Sequence, residues 1–168
     1  MMDIEQFSNA YRVRRLSDAD IPAILTICEG NPILYRYCGY PPSEERVRMD
    51  MHIAPQGIPM ERKHYVGLFD GDALVAILDV IDGFPRADVA FIGFFMMNPA
   101  RQGQGVGSAI IDTLCAYLKR AGMAEAHLVI NKGNPQATHF WTKNGFAVTR
   151  EVKRAQEHDV VLYAERAL

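Results

Sequence analysis

Residues 102–107 read Gln102-Gly103-Gln104-Gly105-Val106-Gly107 and place three glycines at alternate positions just where a helical pattern begins. From Val106 to Ala121, apolar residues recur at the three- and four-residue spacing of one helix face. The preceding run, Asp88 to Met97, predicts a strand. Glycines let main-chain amides approach a ligand, and a helix N-terminus favours negative charge. The stretch therefore indicates a phosphate site, although such a turn can also serve only to join a strand tightly to a helix.

Two common phosphate-binding motifs do not fit this stretch. A dinucleotide fingerprint requires a third glycine where Ser108 stands, and an acidic residue after the next strand. A P-loop requires Gly-Lys followed by Ser or Thr, which residues 102–107 do not supply. Neither nucleotide-binding motif is present.

A second segment, residues 134–146, supports a different assignment. Gln102, Gly105 and Gly107 resemble motif A of the GNAT acyltransferase superfamily, Gln/Arg-x-x-Gly-x-Gly/Ala. The later segment resembles that family's Asn-x-x-Ala-x-x-Phe-Tyr-x-x-x-Gly-Phe, through Asn134, Ala137, Phe140, Trp141, Gly145 and Phe146, with tryptophan in place of the tyrosine. The motifs lie in the expected order, and the resemblance extends from Tyr11 to about Glu165.

The resemblance implies an α/β fold: a mixed, mostly antiparallel sheet of about seven strands, splayed between strands 4 and 5 and flanked by about four helices, in a single domain over residues 1–168. The sequence patterns agree with this arrangement. They predict strands at Tyr11–Leu16, His64–Phe69, Ala73–Ile81, Asp88–Met97, Glu125–Ile130, Phe146–Val152 and Asp159–Glu165. They predict helices from Ser17 or Asp20 to Cys28, from Ser43 toward Ile53, from Val106 to Ala121 and over Asn134–Asn144, with a loop from Gly30 to Pro42.

The resemblance also implies that acetyl-CoA or another acyl-CoA lies in the splayed opening as cosubstrate. Main-chain amides of Gln102, Gly103, Gln104, Gly105, Val106 and Gly107 would hold its pyrophosphate, and main-chain groups of Phe95, Met96 and Met97 would pair with its pantetheine amides. Core packing is the alternative role for the last three side chains. Asn134 would hydrogen-bond CoA, although an asparagine before Pro135 is also a good helix N-cap.

The catalytic residues are less well defined, because Trp141 stands where many relatives place the tyrosine that protonates the departing thiolate. Indole has no acidic proton of useful pKa, so Trp141 either packs over pantetheine or fills the core. Tyr163 is a weak candidate for a substitute acid, with Tyr117 and the tyrosines near residue 40 as others. Asp79 is a weak candidate for a general base; it interrupts an apolar strand, and we expect it either to face solvent, which is the favoured interpretation, or to point into the cleft with a raised pKa.

The acceptor is expected to be an amine. Tyr35, Tyr37 and Tyr40 lie between two predicted helices, in a region that borders the acceptor side in the resembling family. A tyrosine-lined loop favours a small or amino-acid-like amine over a protein lysine or N-terminus. Direct attack on the thioester in a ternary complex needs only modest acid–base help. A non-catalytic acyl-CoA sensor is the alternative that Trp141 leaves open.

Composition limits the partners. The chain has 168 residues, 18 Lys and Arg against 20 Asp and Glu, and no basic cluster, so neither nucleic acid nor a membrane surface is expected as a partner. Three cysteines without CxxC spacing fit reduced thiols in a cytoplasmic protein. His52, His127 and His158 show no ligand spacing, so no metal is expected. The sequence is compatible with a monomer or a homodimer.

Overall fold

The computed structural model describes residues 2–154 and 160–168 and shows one seven-stranded sheet with helices on both faces. The strands are β1 (Arg12–Arg15), β2 (Lys63–Asp70), β3 (Ala73–Asp82), β4 (Val89–Met97), β5 (Glu125–Asn131), β6 (Ala147–Lys153) and β7 (Val160–Ala167). The helices are α1 (Ile21–Glu29), α2 (Pro32–Cys38), α3 (Glu44–His52), α4 (Val106–Arg120) and α5 (Pro135–Lys143), with short 3₁₀ turns at Ile4–Gln6, Asp18–Asp20, Met60–Arg62 and Pro99–Arg101.

The strand order is β1-β2-β3-β4-β5-β7-β6, and all neighbours are antiparallel except β4 and β5. The parallel pairing runs only from Val89 opposite Glu125 to Ile92 opposite Leu128. Beyond that point β4 continues to Met97 and β5 to Asn131 without pairing with each other. The sheet therefore opens into a V between β4 and β5, as the sequence analysis predicted.

A bulge in β4 marks the apex of this V. Asp79 on β3 is opposite Phe94, whereas the next residue, Val80, is opposite Ile92, so Gly93 is an extra residue on β4. A bulge bends its strand and increases the local twist. Because this bulge follows the last residue of β4 that pairs with β5, it accounts physically for the separation of the two strands.

Each face of the sheet has its own apolar cluster. The larger one packs α4 and α5 onto the sheet through residues such as Leu114, Leu118 and Phe146. The smaller one packs α1 and α3 onto the opposite face through residues such as Ile24 and Val47. Burial of these side chains fixes both layers of helices around the V, since each large aliphatic or aromatic group contributes roughly 1.5–3 kcal/mol on leaving water.

The fold class and the strand series predicted from the sequence are confirmed, with one correction. Among the described residues there are five helices, because α2 forms inside the segment that was predicted to be a loop. Pro32 occupies the first turn of α2, and Gly39 follows its end at φ 77°. Proline and glycine therefore mark the two boundaries of a short helix here, as they often do, and do not exclude one.

Two residues used in the sequence analysis, His158 and Asp159, lie outside the described residues. Among the helices that the structure describes, none is both long enough and apolar enough to cross a membrane.

Candidate active site

The V between β4 and β5 contains a cavity of about 410 Å³. Its walls come from the start of α2, the end of β4, the turn before α4 and one side of α5. The predicted CoA-binding residues that line it are Phe95, Met96, Met97, Gln102, Gly103, Gly105, Gly107 and Asn134. The structure thus brings the two sequence motifs to one site, although about 30 residues separate them along the chain.

The glycine turn shapes one end of the cavity. Gly103 and Gly105 have φ angles of 73° and 77°, a conformation that strongly favours glycine. Gly105 is the N-cap of α4 and gives its first turn no side-chain cap. The first main-chain N–H groups of α4 are thus left available for an anion.

Gly107 has a different physical role from the other two glycines. A Cβ at this position would lie 3.2 Å from Phe140 of α5 and 3.5 Å from Met97 of β4. Its missing side chain therefore lets α4 approach α5 closely. Of the other predicted pyrophosphate contacts, the side chain of Gln104 donates to the carbonyl of Ala100 at 3.3 Å, and Val106 packs against the larger apolar cluster.

The open edge of β4 offers main-chain groups to the cavity at alternate positions. The amide of Asn98 bonds to Val75 on β3, so in an antiparallel ladder the polar groups of Met96 also face β3. Those of Phe95 and Met97 face the opening. The side chain of Met96 is buried in the smaller apolar cluster, consistent with the core-packing alternative for that residue.

The carbonyl of Met97 already has side-chain donors. Asn31 Nδ2 donates to it at 3.0 Å, and Gln102 Nε2 donates at 3.3 Å while also contacting Asn31 Oδ1 at 2.5 Å. Asn31 is a wall residue that the sequence analysis missed. Its only sequence signal was its position before Pro32, which is also typical of an N-cap.

Trp141 and Asn134 both have structural roles at the cavity wall. Trp141 is 9% exposed, and its ring lies 5.0–6.0 Å from the ring centroids of Phe140, Phe146 and Phe95. Asn134 is buried and its side chain accepts a hydrogen bond from the amide of Ala137 at 3.1 Å. The tryptophan therefore packs as an aromatic wall, and the asparagine caps α5.

Asp79 is buried, so the favoured expectation that it faces solvent is wrong. The residue is 6% exposed, and its Oδ2 accepts a hydrogen bond of 2.6 Å from Nζ of Lys63, a residue that is itself 3% exposed. Burial raises the pKa of Asp79 to about 6, because desolvation outweighs the attraction of Lys63. The sequence analysis did not predict that β2 would supply a buried lysine as the partner of Asp79.

Tyr163 lies apart from the residues that line the cavity. Its hydroxyl is 2.9 Å from His127 Nδ1, and His127 Nε2 is 2.6 Å from Glu125. Burial raises the pKa of Tyr163, and the guanidinium of Arg150, 3.7 Å from the ring centroid, opposes that shift. The structure therefore places this tyrosine in a hydrogen-bonded chain on β5 and β7.

Glu125, His127 and Glu165 form the group of possible metal ligands in the described part of the chain, with their ligand atoms within 4.8 Å of one another. Arg86 is 3.2 Å from Glu125, and Arg150 is 3.1 Å from Glu165. Both carboxylates thus already have cationic partners, and we interpret the group as an ion-pair network.

The three acceptor-side tyrosines lie on α2 or just after it. Tyr35 packs into the smaller apolar cluster, whereas Tyr37 and Tyr40 are 36% and 38% exposed. A Cβ added at Gly133, in the turn after β5, would lie 3.8 Å from Tyr37. Asn31, just before α2, is hydrogen-bonded to Met97 at the end of β4, and Tyr37 near the end of α2 lies close to the turn after β5. The helix therefore lies across the wide end of the V.

Comparisons with known proteins agree with this geometry. Residues 33–146 match the model of the acetyltransferase (GNAT) family. The chain is 30% identical over 67 residues to mycothiol acetyltransferase of Propionibacterium freudenreichii, a match that spans 40% of this chain and only about a fifth (20%) of that protein.

Solved structures show the same fold over nearly the whole chain. An acetyltransferase from Thermus thermophilus is similar with a TM-score of 0.72 and 24% identity, covering 93% of this chain and 96% of the other. A phosphinothricin acetyltransferase from Sinorhizobium meliloti, in complex with AcCoA, has a TM-score of 0.65 and 18% identity, covering 95% and 89%. From the match to the family model, which covers more than half of its residues, this chain belongs to the acetyltransferase (GNAT) family.

Proposed function

We propose that this protein transfers an acetyl group from acetyl-CoA to a small amine. The single observation that supports this most strongly is the cavity in the V, which has an uncapped helix N-terminus at one end and unpaired strand main chain along its wall. This combination suits a long ligand that carries phosphate at one end and amides along its length.

In this proposal the pyrophosphate of CoA binds the amides of residues 102–107. Pantetheine runs along β4 and pairs with main-chain groups of Phe95 and Met97, which brings the thioester toward the apex of the V. His139 and Lys143 on α5 also line the cavity, and the charge of Lys143 complements the phosphates. The arrangement positions CoA mainly through main chain, so it depends on shape more than on side-chain chemistry.

The transfer proceeds by direct attack of a neutral amine on the thioester carbonyl. The nitrogen–carbon bond forms, the carbon–sulfur bond breaks, and the electron pair leaves with sulfur as CoA thiolate. The Phe95 N–H faces the opening and can hold the carbonyl oxygen as charge develops on it. Orientation of the two reactants can contribute about 7–11 kcal/mol, so departure of the thiolate with water as its proton source is sufficient.

The acceptor is proposed to be small because α2 lies across the wide end of the V. Tyr37 and Tyr40 present exposed aromatic surface there, which suits an amine with an apolar or amino-acid-like body. An open groove that could accommodate an extended peptide would favour a protein acceptor instead.

The test combines binding and turnover. Calorimetry with acetyl-CoA should show saturable binding, and incubation with acetyl-CoA and a panel of small amines should release CoA and yield an acetylated amine by mass spectrometry. Binding without release of CoA for any small amine or peptide would support the sensor alternative and contradict the proposed enzyme. Acetylation of peptides alone would contradict the small acceptor.

A further inference from the structure

The strongest unassigned feature of the molecule is the pair Lys63–Asp79 at the apex of the V. Asp79 is opposite Phe94, the second residue of β4 after its last pairing with β5 at Ile92. The carboxylate therefore lies where the proposed thioester ends, on the face of the sheet that α1 and α3 cover.

Gly93, the extra residue of the bulge, lies against this carboxylate at the point where β4 leaves β5, although neither residue is among those that line the cavity. A Cβ at position 93 would lie 2.6 Å from Asp79 Oδ2, so only a residue without a side chain leaves room for the carboxylate. Gly93 is also exposed. An amine nitrogen near the place of that missing Cβ would be within hydrogen-bond distance of Asp79.

The hydrogen bonding of Asp79 is incomplete. Lys63 Nζ donates a hydrogen bond to Oδ2 at 2.6 Å, whereas Oδ1 is buried and has no hydrogen-bond partner among the residues that the structure describes. An ionised carboxylate can accept about four hydrogen bonds, and leaving a buried acceptor without a partner is unfavourable. An ammonium nitrogen at the place of the missing Gly93 Cβ would donate to Oδ2, the carboxylate oxygen nearest to that point, and would share it with Lys63.

The titratable and charged groups around Asp79 lie on β2 and α3. Besides Lys63, the titratable groups that face it are Asp50 on α3, whose charge raises the pKa of Asp79 further, and Tyr65 on β2. Lys63 is also the neighbour of Asp50. Arg46 is a second cation beside Asp50, so two positive charges balance the two carboxylates when both are ionised.

We propose that Asp79 binds the ammonium group of the acceptor and takes its proton, and that Lys63 and Gly93 are positioning residues that hold the carboxylate at the apex of the V. The inference rests on the proposed acetyl transfer. The ammonium N–H bond breaks and the proton passes to the carboxylate, which leaves a neutral amine and a carboxylic acid that later releases the proton to water. The second proton of the attacking nitrogen leaves after the nitrogen–carbon bond has formed and ends, through solvent, on CoA sulfur.

The main test is the pH dependence of kcat/KM for propylamine in the wild type and in Asp79→Asn. If Asp79 accepts the proton, the wild-type value rises through a pKa of about 6 and then levels off, because the protonated amine is the substrate. In Asp79→Asn it should fall by about 100-fold or more at neutral pH and rise steadily toward the pKa of the free amine, since only unprotonated amine can attack.

Hydroxylamine, which is largely unprotonated at neutral pH, separates a chemical role from a structural one. Its acetylation should decrease far less than that of propylamine in Asp79→Asn. Asp82→Asn is the matched control, because Asp82 is another buried carboxylate of β3 with a basic partner, His64 at 3.0 Å. The ratio of the two amines should not change in this control. Equal losses for both amines in Asp79→Asn would overturn the proposal.

Two further variants test the positioning residues. Lys63→Met removes the positive charge that lowers the pKa of Asp79, so the acid limb of the propylamine profile should move to higher pH. Gly93→Ala should displace the carboxylate and lower kcat/KM for propylamine more than for hydroxylamine. An acid limb at the same pH in folded Lys63→Met would contradict the assigned role of Lys63.

A measurement without turnover distinguishes this inference from the proposed function. The ¹³C resonance of the Asp79 carboxyl, assigned with Asp79→Asn, should shift on addition of propylammonium in the presence of CoA, and tetramethylammonium, which has no N–H donor, should not reproduce the shift. A shift in a protein that acetylates no amine would retain the ammonium site and reject the transferase. Turnover without a shift would retain the transferase and reject the ammonium site.

Discussion

The two sides of the V differ in the chemical groups that they contain. The side formed by β4, the glycine turn and α5 offers main-chain N–H groups, bare glycine positions and an aromatic wall. The side formed by β2, β3 and the α1–α3 layer contains the buried ion pair of Lys63 with Asp79, whose contribution to stability depends on charge. The first side is therefore sensitive to changes in shape, and the second to changes in pH and in single charged groups.

The largest expected effect tests the aromatic wall. Trp141→Ala should lower the free energy of unfolding by about 3–5 kcal/mol, because it leaves a cavity among Phe95, Phe140 and Phe146. Urea unfolding measures this change. Trp141→Tyr is the control and should retain most of the stability. A loss below about 1 kcal/mol for the alanine variant would mean that the wall collapses without a cavity.

The next effect tests the buried charge. The pKa of Asp79 is about 6 in the folded protein and near 3.8 as its ordinary value, so the folded state binds the proton more tightly. The contribution of Asp79 to stability should therefore fall as pH rises from about 4 to about 6, by up to about 3 kcal/mol. The difference in unfolding free energy between the wild type and Asp79→Asn, measured by urea titration across this range, should show that change.

Asp20 is a control, because its contribution to stability should change with pH in the opposite direction. Its hydrogen bonds to Arg14, at 2.7 and 2.9 Å, hold its pKa at about 2. Its stabilisation is present above about pH 4 and is lost as pH falls through about 2. Asp20→Asn should therefore lose stability at neutral pH and little at pH 2, and a matching slope for both variants would refute the distinction between the two carboxylates.

A smaller effect tests the glycine turn. Gly105→Val should weaken CoA binding by more than about tenfold, or over about 1.4 kcal/mol, since its φ of 77° is strained for a β-branched residue and the turn must move. Calorimetry with CoA measures the loss. Gly122→Val, just beyond the other end of α4 at φ 92°, carries a similar strain away from the cavity and should leave affinity unchanged. Unchanged affinity in folded Gly105→Val would remove the proposed pyrophosphate site.

A selective effect is expected at α2. Alanine at Tyr37 or Tyr40 should raise KM for the acceptor by several-fold while KM for acetyl-CoA stays nearly constant, because both side chains are exposed and neither lines the cavity. Steady-state kinetics with each substrate varied in turn would measure the two constants. Equal increases in both would place these tyrosines on the CoA side.

The smallest effect is expected at Tyr163. Its hydroxyl is hydrogen-bonded to His127 and lies outside the cavity lining, so Tyr163→Phe should leave the alkaline part of the kcat/KM profile unchanged. A steep fall near about pH 10 in the wild type, abolished in Tyr163→Phe, would identify this tyrosine as the acid and contradict thiolate departure with water.

The sequence by itself determined the features that depend on local pattern. The apolar spacing of α4, the strand series of the sheet and the turn at Gly103 and Gly105 each follow from neighbours within a few positions. Together with the resemblance to the GNAT superfamily they predicted the mixed sheet and its opening, which the structure confirms, whereas the phosphate site at residues 102–107 stays a prediction. The glycine and proline signals around Pro32 were misread because the same residues mark both loops and helix ends.

The tertiary structure alone decided the features that depend on distant partners. Lys63 meets Asp79 only because β2 and β3 pair in one register, and the raised pKa of that carboxyl follows from the helices that exclude water above it. Gly107 is required by the approach of Phe140, which lies more than 30 positions away. Burial and register are properties of the whole packed sheet, so no local pattern encodes them, and the surroundings of Asp79 could not be predicted from the sequence to the same extent as the glycine turn.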